Sequence, residues 1–290
     1  INGQINKIPK ADIIAGTPGR ILDHLNRRTL HLKHVKFLVL DEADRMFDMG
    51  FQRDVERILR ECPKERQTMM FSATISEELD YLAKRHTNNP VKVSVNSYVD
   101  PSQLTQIYYD VPDYNKFSLL VHLLKENSNS LSMVFCGTRR NVDFVAKNLE
   151  RLGINSKAIH GGMPQNRRIR ILEEFHMKKI SVLICTDVAA RGLDIKGVSH
   201  VYNYDIPPTT EFYIHRIGRT ARAGKNGKAI NILASRDYEN FRNISKDESL
   251  TITPQNLPEI QVIKIERSYS NNKRFTRGNK FHNHNMRRRY

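Results

Sequence analysis

Two carboxylates directly follow an apolar run, and a third comes two residues later. The run Phe37 to Leu40 leads into Asp41 and Glu42, and Asp44 follows. At the carboxyl end of a strand, Asp41 can hold Mg²⁺ through water, and Glu42 can accept a proton from an attacking water. A solvated turn after a strand is the commoner explanation of such a pattern by itself, so its surroundings must decide between the two.

Two hydroxyl side chains support the metal interpretation. A second apolar run, Met69 to Phe71, ends in Ser72 and Thr74. If the two runs are neighbouring parallel strands, their carboxyl ends lie at one edge of a sheet. We therefore expect the hydroxyls to hydrogen-bond to Asp44 and to couple the acids to the rest of the site.

An anion site is predicted upstream of the acids. Thr17-Pro18-Gly19-Arg20 precedes a helical pattern that begins at Ile21. Proline suits the first turn of a helix, and the free backbone amides there, with Thr17 and Arg20, fit a phosphodiester. A simple helix cap is the alternative.

Comparable polar turns follow apolar runs in the second half of the chain. Each places a hydroxyl, a glycine or an arginine at the start of a predicted helix, where backbone and side chain can approach a ligand. The candidate residues are Thr138, Gly162, Arg168 and Thr186. Further on, His215-Arg216 leads to Arg219 and Arg222, which would share one face if that segment is helical. Two guanidinium groups without a nearby acid suit the charge of a transferring phosphoryl group.

The elements that position these residues alternate along the chain. Six short apolar runs predict strands: Ile13–Ala15, Phe37–Leu40, Met69–Phe71, Met133–Cys136, Val182–Cys185 and Ile230–Leu233. Amphipathic stretches lie between them, with apolar residues at helical spacing in 51–62, 117–124 and 142–149. Continuous apolar strands separated by helices predict doubly wound α/β units with parallel sheets. The rhythm breaks between Asn88 and Gln103, which is typical of a linker.

Charge and composition limit the class of protein. The net charge is +16, which favours a polyanion partner such as nucleic acid. Half of it lies in 264–290, and from 267 onward we expect a basic, disordered tail, which either tethers a nucleic acid or only aids solubility. The apolar runs are too short to span a membrane. Three isolated cysteines without a metal-binding spacing indicate a reducing, cytoplasmic setting.

Six motifs in order resemble those of the DEAD-box RNA helicases. They are Thr17-Pro-Gly-Arg20, Asp41-Glu-Ala-Asp44, Ser72-Ala-Thr74, Gln165-x-x-Arg168, Arg191-Gly-Leu-Asp194 and His215-Arg-x-Gly-Arg-x-x-Arg222. The resemblance covers about residues 1–265. It implies two RecA-like doubly wound parallel-sheet domains of the P-loop NTPase type, the first one incomplete. We expect 1–90 to be the end of the first domain, 91–103 a linker, 104–266 the second domain and 267–290 the tail.

The resemblance also implies a role for each matching residue. Asp41 and Glu42 look like the Mg²⁺ ligand and the catalytic base, and Arg219 and Arg222 like the arginines that act on the γ-phosphate of ATP. The remaining roles are implied as follows: Asp44, Ser72, Thr74 and His215 couple hydrolysis to strand separation, Gly192 and Asp194 bind ATP, and Thr17, Arg20, Thr138, Gly162, Arg168 and Thr186 contact the RNA backbone. RNA binding would then be largely independent of sequence, by a monomer without a membrane partner.

One expected motif has no match in these 290 residues. Nothing resembles the glycine-rich phosphate-binding loop, and Gly224 to Lys228 imitates it only in composition. We therefore expect a truncated chain that does not hydrolyse ATP alone. A helicase-fold RNA-binding or scaffold protein without catalysis is the alternative, and a DNA helicase is disfavoured by Asp-Glu-Ala-Asp together with Ser-Ala-Thr.

Overall fold

The computed structural model describes residues 2–72, 77–94, 103–190, 195, 197–221 and 226–265. The chain divides into two compact units, Ile1–Pro101 (unit 1) and Ser102–Tyr290 (unit 2). Residues 91–94 have no regular secondary structure, whereas 95–102 and the whole predicted tail, 267–290, lie outside the described residues.

Unit 1 contains a small parallel sheet beside short helices. Its strands are β1 (Phe37–Leu40) and β2 (Gln67–Met70), paired in parallel with Phe37 opposite Gln67. Its helices are α1 (Asn2–Ile5), α2 (Pro18–Asn26), α3 (Ala43–Asp48), α4 (Gln52–Glu61) and α5 (Glu77–His86). The predicted helix over 51–62 is confirmed as α4, and its Val55 and Leu59 belong to the same buried apolar core as Leu82 of α5 and Leu40 of β1.

Unit 2 is built around a seven-stranded parallel sheet. Its strand order is β5-β6-β4-β7-β8-β3-β9. The strands are β3 (Leu104–Asp110), β4 (Ser132–Phe135), β5 (Ser156–Ile159), β6 (Val182–Cys185), β7 (His200–Asn203), β8 (Gly227–Leu233) and β9 (Thr253–Pro254). The helices are α6 (Lys116–Glu126), α7 (Arg139–Arg151), α8 (Gln165–His176), α9 (Asp187–Ala190), α10 (Thr210–Ile217) and α11 (Tyr238–Ile244).

Both faces of this sheet are covered. Along β4, Val134 packs into a core that contains α6 and α7, while Met133 and Phe135 pack into a second core that contains Phe175 of α8. Successive residues of a strand point to opposite faces, so the two cores lie on opposite sides of the sheet. The predicted doubly wound α/β layout is therefore confirmed for unit 2.

The direction in which successive strands are added to the sheet reverses between β4 and β7. From β4 the chain continues to β5 on one side, and from β7 it continues to β8 on the other. Such a point leaves a crevice outside the carboxyl ends of the two strands, where ligands of doubly wound folds bind.

The strand prediction for Ile13–Ala15 is wrong for the structure described. Residues 13–17 have no regular secondary structure and pair with no strand, and Ile13 is 88% exposed. A strand requires hydrogen bonds from a neighbour, and among the residues described for unit 1, β1 and β2 pair only with each other. Conversely, β3, β5, β7 and β9 are not among the six predicted runs, because polar residues such as Gln106, Lys157 and Asn203 interrupt their apolar character.

Candidate functional site: an acidic turn and a set of polar strand ends

The acidic turn of unit 1 lies where β1 and β2 end. The backbone pairing continues past the strands, because Phe71 N–H donates to Leu40 O (2.8 Å) and Ala43 N–H donates to Phe71 O (3.0 Å). Asp41 is exposed, and its Oδ1 accepts the N–H of Glu42 at 2.9 Å. This contact fixes one carboxylate oxygen, while the exposed side chain remains accessible from solvent.

Glu42 has an unusual backbone conformation. Its φ of 50° and ψ of 49° lie in the left-handed region, at the N-cap position of α3. That region is strained for a residue with a Cβ, and strain of this kind clusters at functional sites. The carboxylate is held by Arg45, whose Nη1 is 2.7 Å from Glu42 Oε2. The turn therefore presents Glu42 in one defined orientation.

Asp44 connects the acids to the second strand. Its side chain is buried, and its backbone N–H donates to Ser72 Oγ at 3.3 Å. The predicted link between Asp44 and the hydroxyls is thus present for Ser72, through the main chain of Asp44. Thr74 lies outside the described residues.

In unit 1, the exposed carboxylate of Asp41 could bind Mg²⁺. The described residues contain no cluster of three or more His, Cys, Asp or Glu side chains able to hold a metal ion. Mg²⁺ typically keeps several waters and binds through one or two carboxylates together with substrate phosphates. An exposed Asp41 at a strand end fits that pattern, so it suits Mg²⁺ delivered with a nucleotide rather than a resident metal.

The start of α2 has the predicted geometry. Pro18 occupies the first turn, and Thr17 at the N-cap makes no capping hydrogen bond through its exposed side chain. The Thr17 hydroxyl is thus left available for a ligand, contrary to the simple-cap alternative. Arg20 is less available, because its Nη1 contacts Asp23 Oδ2 at 3.3 Å. The hydrogen bond that Arg27 donates to Asp23 lowers the pKa of that carboxyl.

The polar turns of unit 2 lie at the carboxyl ends of β4, β5 and β6. Thr138 caps α7, its Oγ1 accepting the N–H of Asn141 at 3.1 Å. Gly162 N–H donates to His160 Nδ1 (3.1 Å), which orients the opposite ring nitrogen toward Asp143 of α7 (3.0 Å). Gly162 therefore follows β5 in a turn that is fixed by a side chain.

Two further candidate contacts lie near these turns. Arg168 is in the first turn of α8, where its Nη1 donates to Gln165 Oε1 at 2.9 Å. Thr186 directly follows β6, and its carbonyl accepts the N–H groups of Ala189 and Ala190. All four predicted backbone contacts of this unit thus sit at helix starts or strand ends. Gly192 and Asp194, the predicted ATP contacts, lie outside the described residues.

Arg216 links several of these strand ends. Its side chain is 1% exposed and forms a bidentate pair with Asp187, from Nε (2.6 Å) and Nη2 (2.8 Å). Its Nη1 donates to Asn203 Oδ1 (3.1 Å) and to the Asp205 carbonyl (2.6 Å). A buried guanidinium needs such partners, since an unpaired buried charge is strongly destabilising.

The helix on which Arg219 and Arg222 would share a face does not extend to Arg219. Helix α10 ends at Ile217, and the N–H of Arg219 donates to Arg216 O in the turn that follows (3.1 Å). Gly218 weakens the helix there, and the Thr220 hydroxyl binds the Val198 carbonyl near the end of the sheet, which draws the chain away from the helix axis. Arg222 lies outside the described residues. His215, at the end of α10, accepts a hydrogen bond from Arg219 Nε through its carbonyl (3.3 Å).

The cysteines of unit 2 take no chemical role in this arrangement. Cys136 and Cys185 follow or end neighbouring strands, and both are fully buried. Burial raises the pKa of both thiols, so the reactive thiolate form is disfavoured. They pack as small apolar residues, as their apolar context predicts.

Sequence reasoning missed the two residues that organise unit 2. Arg216 and Asp205 belong to no predicted ligand contact, yet both connect several strand ends. A signal was present for Arg216, because Tyr213 three residues earlier and Ile217 next to it place Arg216 on the apolar, buried face of α10. An arginine at such a position requires a buried acid.

Comparisons with known proteins agree with this geometry. Residues 1–82 match the sequence profile described as DEAD/DEAH box helicase, and residues 115–224 match that of the helicase conserved C-terminal domain. A solved DEAD box protein from the hyperthermophile Methanococcus jannaschii is 42% identical, and the match covers 88% of this chain and 69% of that one, with a TM-score of 0.51. The chain belongs to the DEAD-box RNA helicase family.

Other DEAD-box proteins show how much of a relative the chain represents. It is 45% identical to the ATP-dependent RNA helicase CshA of Listeria monocytogenes over 260 residues, which are 89% of this chain and 50% of that protein. The chain thus spans about half the length of such relatives. Dbp5 of S. cerevisiae, solved bound to RNA and ADP BeF3, is 32% identical with a TM-score of 0.75, covering 84% of this chain and 66% of that one.

The fold expectation is confirmed by these matches. They support two RecA-like helicase domains, with the DEAD domain only partly represented. In the described ranges, no helix combines the length and the apolar character that a membrane crossing requires.

Proposed function

We propose that this chain is part of an ATP-dependent RNA helicase, which couples RNA-stimulated ATP hydrolysis to local unwinding of RNA duplexes or to remodelling of RNA–protein complexes. The observation that carries the proposal is the acidic turn. Asp41, Glu42 and Asp44 follow a parallel strand, and Asp44 is hydrogen-bonded to Ser72 at the end of the next one. A turn whose acids were only solvated would not require the hydrogen bond between Asp44 and Ser72.

In unit 1 we assign Asp41 to Mg²⁺, through water, and Glu42 to the attacking water. Bound Mg²⁺ would neutralise charge on the nucleotide phosphates. The pairing with Arg45 holds Glu42 in place before substrate binds. Thr17 and Arg20 contact the RNA backbone, and Asp44, Ser72 and Thr74 transmit the state of the acids to the rest of the unit.

In unit 2 we assign Thr138, Gly162, Arg168 and Thr186 to the RNA backbone. Backbone amides, hydroxyls and an arginine recognise phosphate and 2′-hydroxyl groups rather than base edges, which favours sequence-independent binding. We assign Arg219 and Arg222 to the charge of the transferring phosphoryl group, Gly192 and Asp194 to ATP, and His215 to coupling. We also assign the protein to the cytoplasm, which the three free, buried cysteines favour, and expect it to act as a monomer.

The catalytic assignment is tested by Glu42→Gln in a longer form of the chain that carries a phosphate-binding loop. Glutamine keeps the shape and removes the base, so we expect ATP and RNA binding to persist while single-turnover hydrolysis falls by about 10²–10⁴-fold. Glu61→Gln makes the same chemical change at an exposed position of α4 and serves as the matched control.

Two outcomes would contradict this assignment. Equal hydrolysis by the Glu42→Gln and Glu61→Gln variants would remove Glu42 from catalysis and favour a non-catalytic RNA-binding protein. We also expect the 290-residue chain by itself to lack ATPase activity, because its sequence contains no phosphate-binding loop. RNA-stimulated phosphate release by this chain, above that of its own Glu42→Gln variant, would contradict the second expectation.

A further inference from the structure

Asp205 lies in the crevice of unit 2 between the ends of β4 and β7, where the strand order reverses. It follows β7, next to the end of β4, and its side chain is largely buried. Its Oδ2 accepts the backbone N–H of Gly137 (2.8 Å) and an Nδ2 hydrogen of Asn141 (2.8 Å). Its Oδ1 accepts from Arg236 Nη2 at 2.9 Å. One carboxylate therefore holds both sides of the turn that contains Thr138.

The main chain of Asp205 continues the connection. Its carbonyl accepts Arg216 Nη1 at 2.6 Å, and Arg216 is in turn bound to Asp187, which follows Thr186. An unbroken path of hydrogen bonds thus joins the Thr138 turn, through Asp205 and Arg216, to the Thr186 turn. Arg216 also lies on α10, beside His215.

The chemistry of these contacts makes the position of the turn sensitive to the charge at Asp205. Hydrogen bonds to an ionised carboxylate are roughly twice as strong as neutral ones. Asparagine at 205 has a single acceptor oxygen and an added donor that faces the Gly137 and Asn141 donors or Arg236. The Gly137–Thr138 turn would then lose at least one of the contacts that define it.

We propose that Asp205 is a positioning residue for RNA binding: it holds the Gly137–Thr138 turn in the orientation that the RNA backbone requires and links it to the Thr186 turn through Arg216. The proposal rests on the proposed function, since it presumes that Thr138 contacts RNA. Asp205 itself does not touch RNA, because its oxygens are already used by three donors and its charge would repel phosphate.

A second buried acid supplies the matched control. Asp237 is ion-paired with Lys116, and its oxygens also accept the N–H groups of Ala234 and Ile206. None of these partners is a predicted RNA contact. Asp237→Asn therefore makes the same chemical change in a comparably buried acid of the same unit, whose own contacts with Lys116, Ala234 and Ile206 include none of Gly137, Thr138 and Asn141.

The test is a double-mutant cycle on RNA affinity, measured with a single-stranded oligonucleotide and the full 290-residue chain. We expect Asp205→Asn to weaken binding about tenfold, and Thr138→Ala to add less than twofold in its presence, because both changes remove one contact. In the Asp237→Asn chain, kept at a temperature where hydrogen exchange shows unit 2 folded, affinity should be unchanged and Thr138→Ala should have its full effect.

Each result is decisive for one claim. Wild-type affinity in the Asp205→Asn chain, or effects of Asp205→Asn and Thr138→Ala that multiply, would overturn the positioning role while leaving RNA binding intact. No RNA binding by the wild-type chain would overturn the proposed RNA role of unit 2 and this inference with it.

A second variant covers the case in which Asp205→Asn does not fold. Asn141→Ala removes one contact to the carboxylate without changing any charge, and we expect it to weaken RNA binding about threefold, again without adding to Thr138→Ala. Full additivity there would overturn the proposal.

Discussion

The two units support their candidate residues with very different sheets. In unit 2, every residue of β4 and β6 is buried, and helices cover both faces of a seven-stranded sheet. In unit 1, the described sheet has two strands, and Phe37 and Val39 of β1 are 65% and 51% exposed. Parallel sheets are normally covered on both faces, and two strands give little independent stability.

The difference indicates what holds each site in place. The strand ends of unit 2 rest on a continuous core and on a buried network around Arg216 and Asp205. The acidic turn of unit 1 rests on few contacts, such as the local pair of Glu42 with Arg45 and the hydrogen bond of Asp44 to Ser72 at the end of β2. We therefore expect unit 1 to be the less stable of the two in this chain.

The largest effect should come from the buried ion pair of unit 2. In Asp237→Asn, Lys116 keeps a buried charge without its partner, and breaking such a pair typically costs about 3–5 kcal/mol. Desolvation already lowers the pKa of Lys116, and the attraction of Asp237 opposes that shift. Urea unfolding, followed by hydrogen exchange of peptides from unit 2, measures the loss.

The matched change in unit 1 is Asp80→Asn, which breaks the exposed pair of Asp80 with Lys84. Exposed pairs contribute little, so no measurable change in the midpoint of unit 1 is expected. Equal destabilisation by Asp237→Asn and Asp80→Asn would contradict the distinction between the units.

Truncation of a buried leucine should show a smaller difference in stability between the two units. Leu82 in unit 1 and Leu120 in unit 2 are both fully buried. The cost of Leu→Ala depends on how far the surroundings collapse into the cavity. We expect about 4 kcal/mol for Leu120→Ala in the enclosed core and about 2 kcal/mol for Leu82→Ala under the open sheet. A larger cost for Leu82→Ala, by hydrogen exchange, would show that unit 1 is the more tightly packed.

Relief of backbone strain should stabilise unit 1 slightly. Glu42→Gly places a residue without a Cβ at φ 50°, which we expect to add up to about 1 kcal/mol, less what the lost contact with Arg45 contributed. Glu42→Ala loses the same contact and retains the strain, so it is the control. If the two variants had equal unfolding midpoints, the left-handed conformation would not be costly here.

The smallest effect concerns pH. Arg27 and Arg20 hold the pKa of Asp23 below its ordinary value, so the folded state favours the ionised carboxylate. The resulting stabilisation is fully present above the ordinary pKa of 3.8 and is lost as pH falls through the lowered folded value. Carboxyl carbon shifts of Asp23 should therefore titrate below those of a free aspartate, and Arg27→Ala should move the midpoint toward the ordinary value, with Arg20 still in place. An unchanged midpoint in that variant would assign the shift to another cause.

Much of the fold and the candidate site followed from local sequence. Apolar runs predicted β1, β4 and β6, and helical spacing predicted α4, α6 and α7, because these patterns report directly which residues must be buried. Thr138 at the N-cap of α7 and Arg168 in the first turn of α8 depend only on residues three positions away. Short-range chemistry of this kind is readable from sequence.

Only the tertiary structure decided the long-range contacts and the backbone strain. Asp205 meets Gly137 and Asn141 because β4 and β7 are neighbours in the sheet, although they lie far apart along the chain. No spacing rule predicts that pairing, nor the left-handed conformation of Glu42, which arises where the chain leaves β1 to begin α3. The apolar run at Ile13–Ala15 carries the same lesson: its residues suit a strand, but a strand forms only where a neighbour accepts its hydrogen bonds.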